Sequence, residues 1–151
     1  MAKIPSIEIL QLNSETVPEG ISYYTSLNCN ETMVATYPPN TRENLYVHRN
    51  QTDYIQVVRG KFIWVILSAG KYQYIPLSEQ DSFVVKVAPK IPHGAINPYD
   101  ETCVMVNAIV RHKPLTPKDY QPIFPPFPYD IEKALSSQVP IEKIRYYSDR
   151  E

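Results

Sequence analysis

The sequence predicts an all-β domain of the sandwich or barrel type, and three observations carry that reading. Short runs of β-branched and aromatic residues recur along residues 7–110, several alternating apolar and polar as half-buried strands do. Turn residues punctuate them closely, at Pro38-Pro39-Asn40, Arg59-Gly60, Ala69-Gly70, Glu79-Gln80-Asp81 and Asn97-Pro98. Fifteen prolines against four glycines leave little room for long helices, and twelve tyrosines favour strands.

Strands are expected in order over about 7–12, 20–27, 31–37, 43–49, 53–59, 61–68, 71–76, 82–88, 94–98 and 102–110. Tyr54-Ile55-Gln56-Val57 and Val84-Val85-Lys86-Val87 show the alternation most cleanly. After Val110 the character changes. Six prolines crowd residues 114–128, a density that no regular helix or central strand tolerates. An extended arm packed over the barrel or a neighbouring subunit is expected there. Its segment Phe124-Pro125-Pro126-Phe127-Pro128-Tyr129 is read as cover for the domain's own barrel. Residues 129–137 form the one convincing helix, with Asp130 as its cap. The whole chain, 1–151, reads as a single domain, with a barrel core over about 20–112 and the arm and helix over about 113–140.

Composition narrows the function. The chain has 151 residues, 43% of them hydrophobic and 21% charged, enough apolar material for one core. A net charge of −1 marks no nucleic-acid or anionic-membrane partner. The longest apolar run, Phe62 to Leu67, spans six residues, whereas a bilayer needs roughly 20. Met1-Ala2-Lys3-Ile4-Pro5 lacks the apolar stretch of a secretory signal, so a soluble, cytoplasmic protein is expected. Cys29 and Cys103 are too few for a disulfide framework or zinc ribbon and read as buried free thiols.

The chemistry concentrates at three histidines. His48 lies in an apolar stretch and is followed by Arg49-Asn50-Gln51-Thr52-Asp53; His93 follows Pro92 and precedes Gly94. His112 sits among basic residues and reads as a solvated strand end. Trp64 and the tyrosines supply core, with a stacking platform for a sugar or base as the alternative.

These histidines stand in a pattern that resembles the cupin superfamily. Its first motif runs H-x-H, four residues, an acid, six residues, glycine. Anchored on Gly60, it places Tyr46 and His48 at the histidine positions and Asp53 at the acidic one. Its second motif, P-x-G, two residues, H, three residues, N, is matched by His93 and Asn97, with Ala88 and Lys90 in place of proline and glycine. Within that superfamily the chain is most similar to the RmlC-like dTDP-4-dehydrorhamnose 3,5-epimerases. Gln56-Val57-Val58-Arg59-Gly60, the Leu77-Ser78 pair sixteen residues before His93, and the ungapped spacing on to Pro114 carry the likeness, over about 45–115.

The resemblance implies a jelly-roll barrel, a homodimer, and an epimerase or isomerase acting on a nucleotide sugar or similar small carbohydrate, with no cofactor required. It places the general base at His48 and a second pocket histidine at His93, with Tyr46, Asp53, Tyr54 and Trp64 as candidates for binding the sugar. The family's lysine falls at about Asp53 and its tyrosine acid at Val106, while its arginine-glycine-leucine reads Leu45-Tyr46-Val47. A carboxylate cannot steady an enolate as an ammonium does, so Tyr46, Tyr54 or Lys86 must substitute if that chemistry is kept. Two alternatives follow. One is a metal-dependent cupin holding divalent iron, manganese, nickel or zinc on His48, His93 and Asp53. The other is a non-catalytic cupin that binds a small molecule.

Overall fold

The computed structural model describes residues 7–148. The chain runs through β1 (Ile7–Gln11), β2 (Ser14–Thr16), β3 (Ser22–Tyr24), β4 (Glu31–Tyr37), β5 (Thr41–Arg42), β6 (Gln51–Arg59), β7 (Lys61–Ser68), β8 (Lys71–Ser78), β9 (Phe83–Val87), β10 (His93–Asn97) and β11 (Cys103–Arg111). Helix α1 (Ile131–Ser136) and strand β12 (Ile144–Tyr146) follow. One sheet has the order β12-β1-β9-β6-β11-β4, the other β5-β10-β7-β8, and β2 pairs β3 in a separate hairpin. Every pairing is antiparallel except β1 with β12. This is a jelly-roll sandwich.

Period two decides what each strand puts inside. On β7, Phe62, Trp64 and Ile66 enter the core between the sheets, where they meet Ile55 and Val57 of β6, Val85 of β9 and Met105 of β11. The alternate residues Ile63 and Val65 face outward and are covered by Tyr129, Ile131 and Ala134. Both faces of β7 are therefore buried, which explains its unbroken apolar run. On the outer side of the larger sheet, Tyr54, Val84 and Ala108 pack with Leu10 and Tyr147.

Two tight turns fix the register around β7. Ala69 and Gly70, both with positive φ, close the β7–β8 hairpin in two residues, as the right-handed twist of the strands requires. Gly60 joins β6 to β7 at φ +75°, where a Cβ would stand 2.8 Å from the Thr102 carbonyl oxygen. The glycine of the first motif is thus a turn residue.

Four expectations need correction. Residues 43–49 form no continuous strand: Leu45 bridges Ile123 and Tyr46 bridges His93, so the segment is pinned at two points between different partners. Only Ser22–Tyr24 of the expected 20–27 strand pairs, and its partner, Ser14–Thr16, gave no apolar signal because all three of its residues are exposed. β12 lies beyond every expected strand; it is a short parallel edge on β1. Cys29 is exposed, since the stretch between β3 and β4 is not strand, while Cys103 is buried as expected.

The helix begins and ends close to its predicted limits, and the Asp130 carboxylate accepts the Lys133 N–H at 3.0 Å as its cap. The proline-rich arm covers its own barrel. Ile123 pairs with Leu45, the Tyr72 hydroxyl donates to the Phe127 carbonyl at 2.6 Å, and the Tyr129 hydroxyl donates to the Glu43 carbonyl at 2.9 Å. No helix among the described residues is long and apolar enough to cross a membrane.

Candidate active site

The same alternation builds the site. Asp53 lies on the inward face of β6 with Ile55, His93 on the inward face of β10 with Ala95, and Asn107 on that of β11 with Met105. His48 arrives from the segment that Tyr46 bridges to His93. These side chains meet at one end of the sandwich. The His48 Nε2 is 3.8 Å and the His93 Nε2 3.5 Å from the same Asp53 oxygen, Oδ2. All three groups are buried.

The other ring nitrogens identify the tautomers. His48 Nδ1 lies 2.6 Å from the Asp119 carbonyl oxygen and His93 Nδ1 lies 2.7 Å from that of Ile91. A carbonyl only accepts, so each Nδ1 carries a hydrogen, and each ring turns its Nε2 toward Asp53. Burial pulls the His93 pKa down to about 4, with the neighbouring Asp53 opposing and His48 adding to the shift. At neutral pH His93 is uncharged.

Asp53 is held from behind. Its Oδ1 accepts from Gln51 Nε2 at 2.7 Å and from Asn107 Nδ2 at 3.0 Å. Gln51 in turn accepts from Arg111 at 2.7 Å, and Asn107 Oδ1 accepts the Tyr54 N–H at 3.2 Å. One carboxylate oxygen is thereby occupied and the other left for the histidines.

The arm completes the first wall. Its 3₁₀ turn, Pro117–Tyr120, is locked by the Asp119 carboxylate, which accepts the Thr116 N–H at 2.9 Å and the Thr116 hydroxyl at 3.0 Å. Those bonds hold the Asp119 carboxyl below its usual range. The turn delivers the Asp119 carbonyl to His48 and lays the Tyr120 ring 5.3 Å from the imidazole.

A cavity of about 260 Å³ opens in front of these groups, with Glu43, Tyr46, Trp64 and Met105 among its walls. That is below the roughly 300–1,000 Å³ that encloses a drug-sized ligand, so the cavity takes a group of about one sugar ring. A wider open groove of about 560 Å³, between β8 and α1, is lined by none of the histidines or carboxylates of this site.

The structure therefore brings together five of the six residues singled out in the sequence: His48, His93, Asp53, Tyr46 and Trp64. Tyr46 stacks at 6.5 Å from His48, and Trp64 packs between Phe62 and His93. The Trp64 indole N–H has no hydrogen-bond partner among the described residues. Tyr54 is not brought to the cavity. It follows Asp53 on β6 and so faces outward, against Tyr147. Lys86 likewise pairs with Glu8 at 3.3 Å on the outer surface. His112 is exposed at the end of β11, with Nε2 2.8 Å from the Thr52 hydroxyl. Asn97 is buried and donates to the carbonyls of Tyr37, Pro38 and Glu101, so the asparagine of the second motif secures a turn.

Sequence reasoning missed Gln51, Asn107, Asp119, Tyr120, Glu43 and Tyr37. Gln51 and Asn107 carried a usable signal, since each shares a strand face with an inward residue and is polar there. Asp119 and Tyr120 carried none, because their part in the site depends on how the arm folds back.

The donor set also fits a divalent metal. One nitrogen from each of His48 and His93 and one Asp53 oxygen all lie within 4.8 Å of one another. Each histidine gives its second nitrogen to a carbonyl, the support that metal-ligating imidazoles usually have.

No protein-family model matches the chain, and no curated protein matches it in sequence. Solved structures do match. A double mutant of ChmJ, a 3'-monoepimerase from Streptomyces bikiniensis in complex with dTDP, is 13% identical, with 99% of this chain and 82% of that one covered at a TM-score of 0.67. The WlaRB TDP-quinovose 3,4-ketoisomerase from Campylobacter jejuni is 13% identical, covering 89% of this chain and 100% of its own at 0.66. A mutant of the 3,4-ketoisomerase QdtA from Thermoanaerobacterium thermosaccharolyticum, bound to TDP-4-keto-6-deoxyglucose, is 10% identical, covering 78% and 87% at 0.64. At such identities the likeness is one of fold: the chain has an RmlC-like cupin fold.

Proposed function

We propose that this protein is a sugar-modifying enzyme that moves a proton beside a ketone, as an epimerase or isomerase of a nucleotide sugar or similar small carbohydrate. The observation that carries the reading is the pair of imidazoles whose Nδ1 hydrogens are committed to carbonyls and whose Nε2 atoms converge on Asp53 at the cavity. His48 Nε2 is the base that takes the proton from carbon. Asp53 steadies the imidazolium that results, and His93, uncharged, is available to accept a hydrogen bond from a sugar hydroxyl. The cavity encloses the sugar and leaves a nucleotide outside. The 3'-monoepimerase and the 3,4-ketoisomerases that share the fold support this substrate class.

The test is incubation with TDP-4-keto-6-deoxyglucose, with the products followed by proton NMR. A rearranged sugar is expected from the wild type, and His48→Asn should lower the rate by about 10²–10⁴-fold. An unchanged rate in the variant would exclude His48 as the base.

The convergence of three donor atoms supports a second reading, a metal-dependent enzyme in which His48, His93 and Asp53 hold a divalent ion. Such an ion would polarise a substrate oxygen. Metal analysis of the purified protein separates the two: on the leading reading, turnover survives chelation and no stoichiometric metal is found.

A further inference from the structure

Glu43 lines the same cavity as His48 and His93 but belongs to a separate hydrogen-bond network. Its Oε2 accepts the Ala95 N–H at 2.9 Å, and the Tyr37 hydroxyl bonds to the carboxylate. Its backbone N–H donates to the Ala95 carbonyl at 2.9 Å, and its carbonyl accepts the Tyr129 hydroxyl at 2.9 Å. β4, β10 and the arm therefore pin this one residue from three directions. The titratable groups around it are Tyr37 from β4 with Cys103 of β11 beyond, Tyr129 from the arm, Tyr46 on its own segment, and His48 and His93 in the same cavity. None of them pairs with the carboxylate as a cation. With no positive partner among the described residues, burial raises the Glu43 carboxyl to about 7, so that it both holds and releases a proton near neutrality. Tyr37 is pushed well above its usual range and stays protonated.

Inverting one carbon requires only that a proton return to that carbon from the other face. Moving a carbonyl to the neighbouring carbon requires in addition a proton transfer between two adjacent oxygens. A single group must then serve as acid and as base. We propose that Glu43 carries protons to and from the substrate's oxygens, which makes the reaction a carbonyl transposition on a keto sugar. The inference rests on the reading of His48 as the base.

The steps balance without a co-reactant. His48 Nε2 takes the proton from the hydroxyl-bearing carbon next to the ketone. The C–H electron pair forms the carbon–carbon double bond, the carbonyl π pair moves to oxygen, and the Glu43 carboxyl protonates that oxygen to give an enediol. Glu43, now a carboxylate, takes the proton of the adjacent hydroxyl. Its electron pair forms the new carbonyl, and His48 returns its proton to the carbon that held the old one.

The experiment compares wild type, Glu43→Gln and Glu43→Asp with TDP-4-keto-6-deoxyglucose in deuterated water. The amide oxygen keeps the bond to Ala95, and a circular dichroism melt checks that both variants fold. Wild type is expected to form the 3-keto isomer. Glu43→Gln should lower that conversion by about 10²-fold or more, while deuterium still enters the carbon next to the ketone through His48. The rate limb near neutral pH should vanish with the glutamine and return in part with the aspartate. Conversion by Glu43→Gln at the wild-type rate, or equal loss of conversion and deuterium entry, would overturn the role of Glu43. Formation of an epimer with no 3-keto product overturns the transposition but leaves the sugar-modifying reading. Neither exchange nor conversion by wild type removes that reading, and this inference with it.

Discussion

Glu43 and His93 are opposite cases of one physical effect, burial of an ionisable group. Burial raises the Glu43 carboxyl from an ordinary 4.5 to about 7 and lowers His93 from 6.5 to about 4. Between about pH 4.5 and 7 the folded protein holds a proton on Glu43 that the unfolded chain has lost, so this residue's stabilisation falls as pH rises through that window. His93 acts with the other sign. Below 6.5 the unfolded chain gains a proton that the folded protein refuses, so its contribution grows as pH rises from about 4 to 6.5. The Glu43 part is read as the difference between wild type and Glu43→Gln. Urea unfolding of both, across this range, should show the wild type losing stability relative to the variant as pH rises. A difference independent of pH would contradict a raised Glu43 pKa. From sequence, His48, His93 and Asp53 were legible because the spacing of the two motifs picks them out; Asp53 and His93 lie on inward strand faces, whereas His48 lies on a segment outside any strand. Glu43 was not, because its importance comes from burial beside Tyr37 without a cation, and spacing does not encode that.

Elements rich in local information were readable. β4 and β7 fall at their predicted limits, since the Pro38-Pro39-Asn40 turn ends the one and a two-sided apolar run defines the other. The segment before His48 was misread as a strand because its composition is strand-like while its partners are not continuous: Ile123 takes one side and His93 the other. The arm was recognised as extended, but its 3₁₀ turn depends on Asp119 bonding back to Thr116. That turn orients His48, so the arm belongs to the site. Replacing Asp119 with Ala leaves the carbonyl in place but removes the lock, and should cost about 1–2 kcal/mol of stability. Activity should fall further than stability alone explains, because His48 loses its fixed orientation. Unfolding curves and turnover measured on the same preparation check both, and full activity in this variant would show that the turn does not position the base.

At the scale of the molecule, two sheets enclose an apolar core at one end and a polar cavity at the other. The difference lies in a few inward positions: Val57, Phe62 and Leu77 where the core is apolar, Asp53, His93 and Asn107 where it is not. Three buried polar groups on inward strand faces are expensive unless paired, and each is hydrogen-bonded here. A fold of this kind hosts many reactions, so the chemistry must be argued from the cavity itself. The central claim is that His48 removes a proton from carbon beside a ketone. Proton NMR of TDP-4-keto-6-deoxyglucose in deuterated water measures that step before any product is identified. The signal of the carbon-bound hydrogen next to the ketone should disappear with wild-type protein and persist, at the uncatalysed rate, with His48→Asn. Exchange that continues undiminished in the variant would contradict that claim.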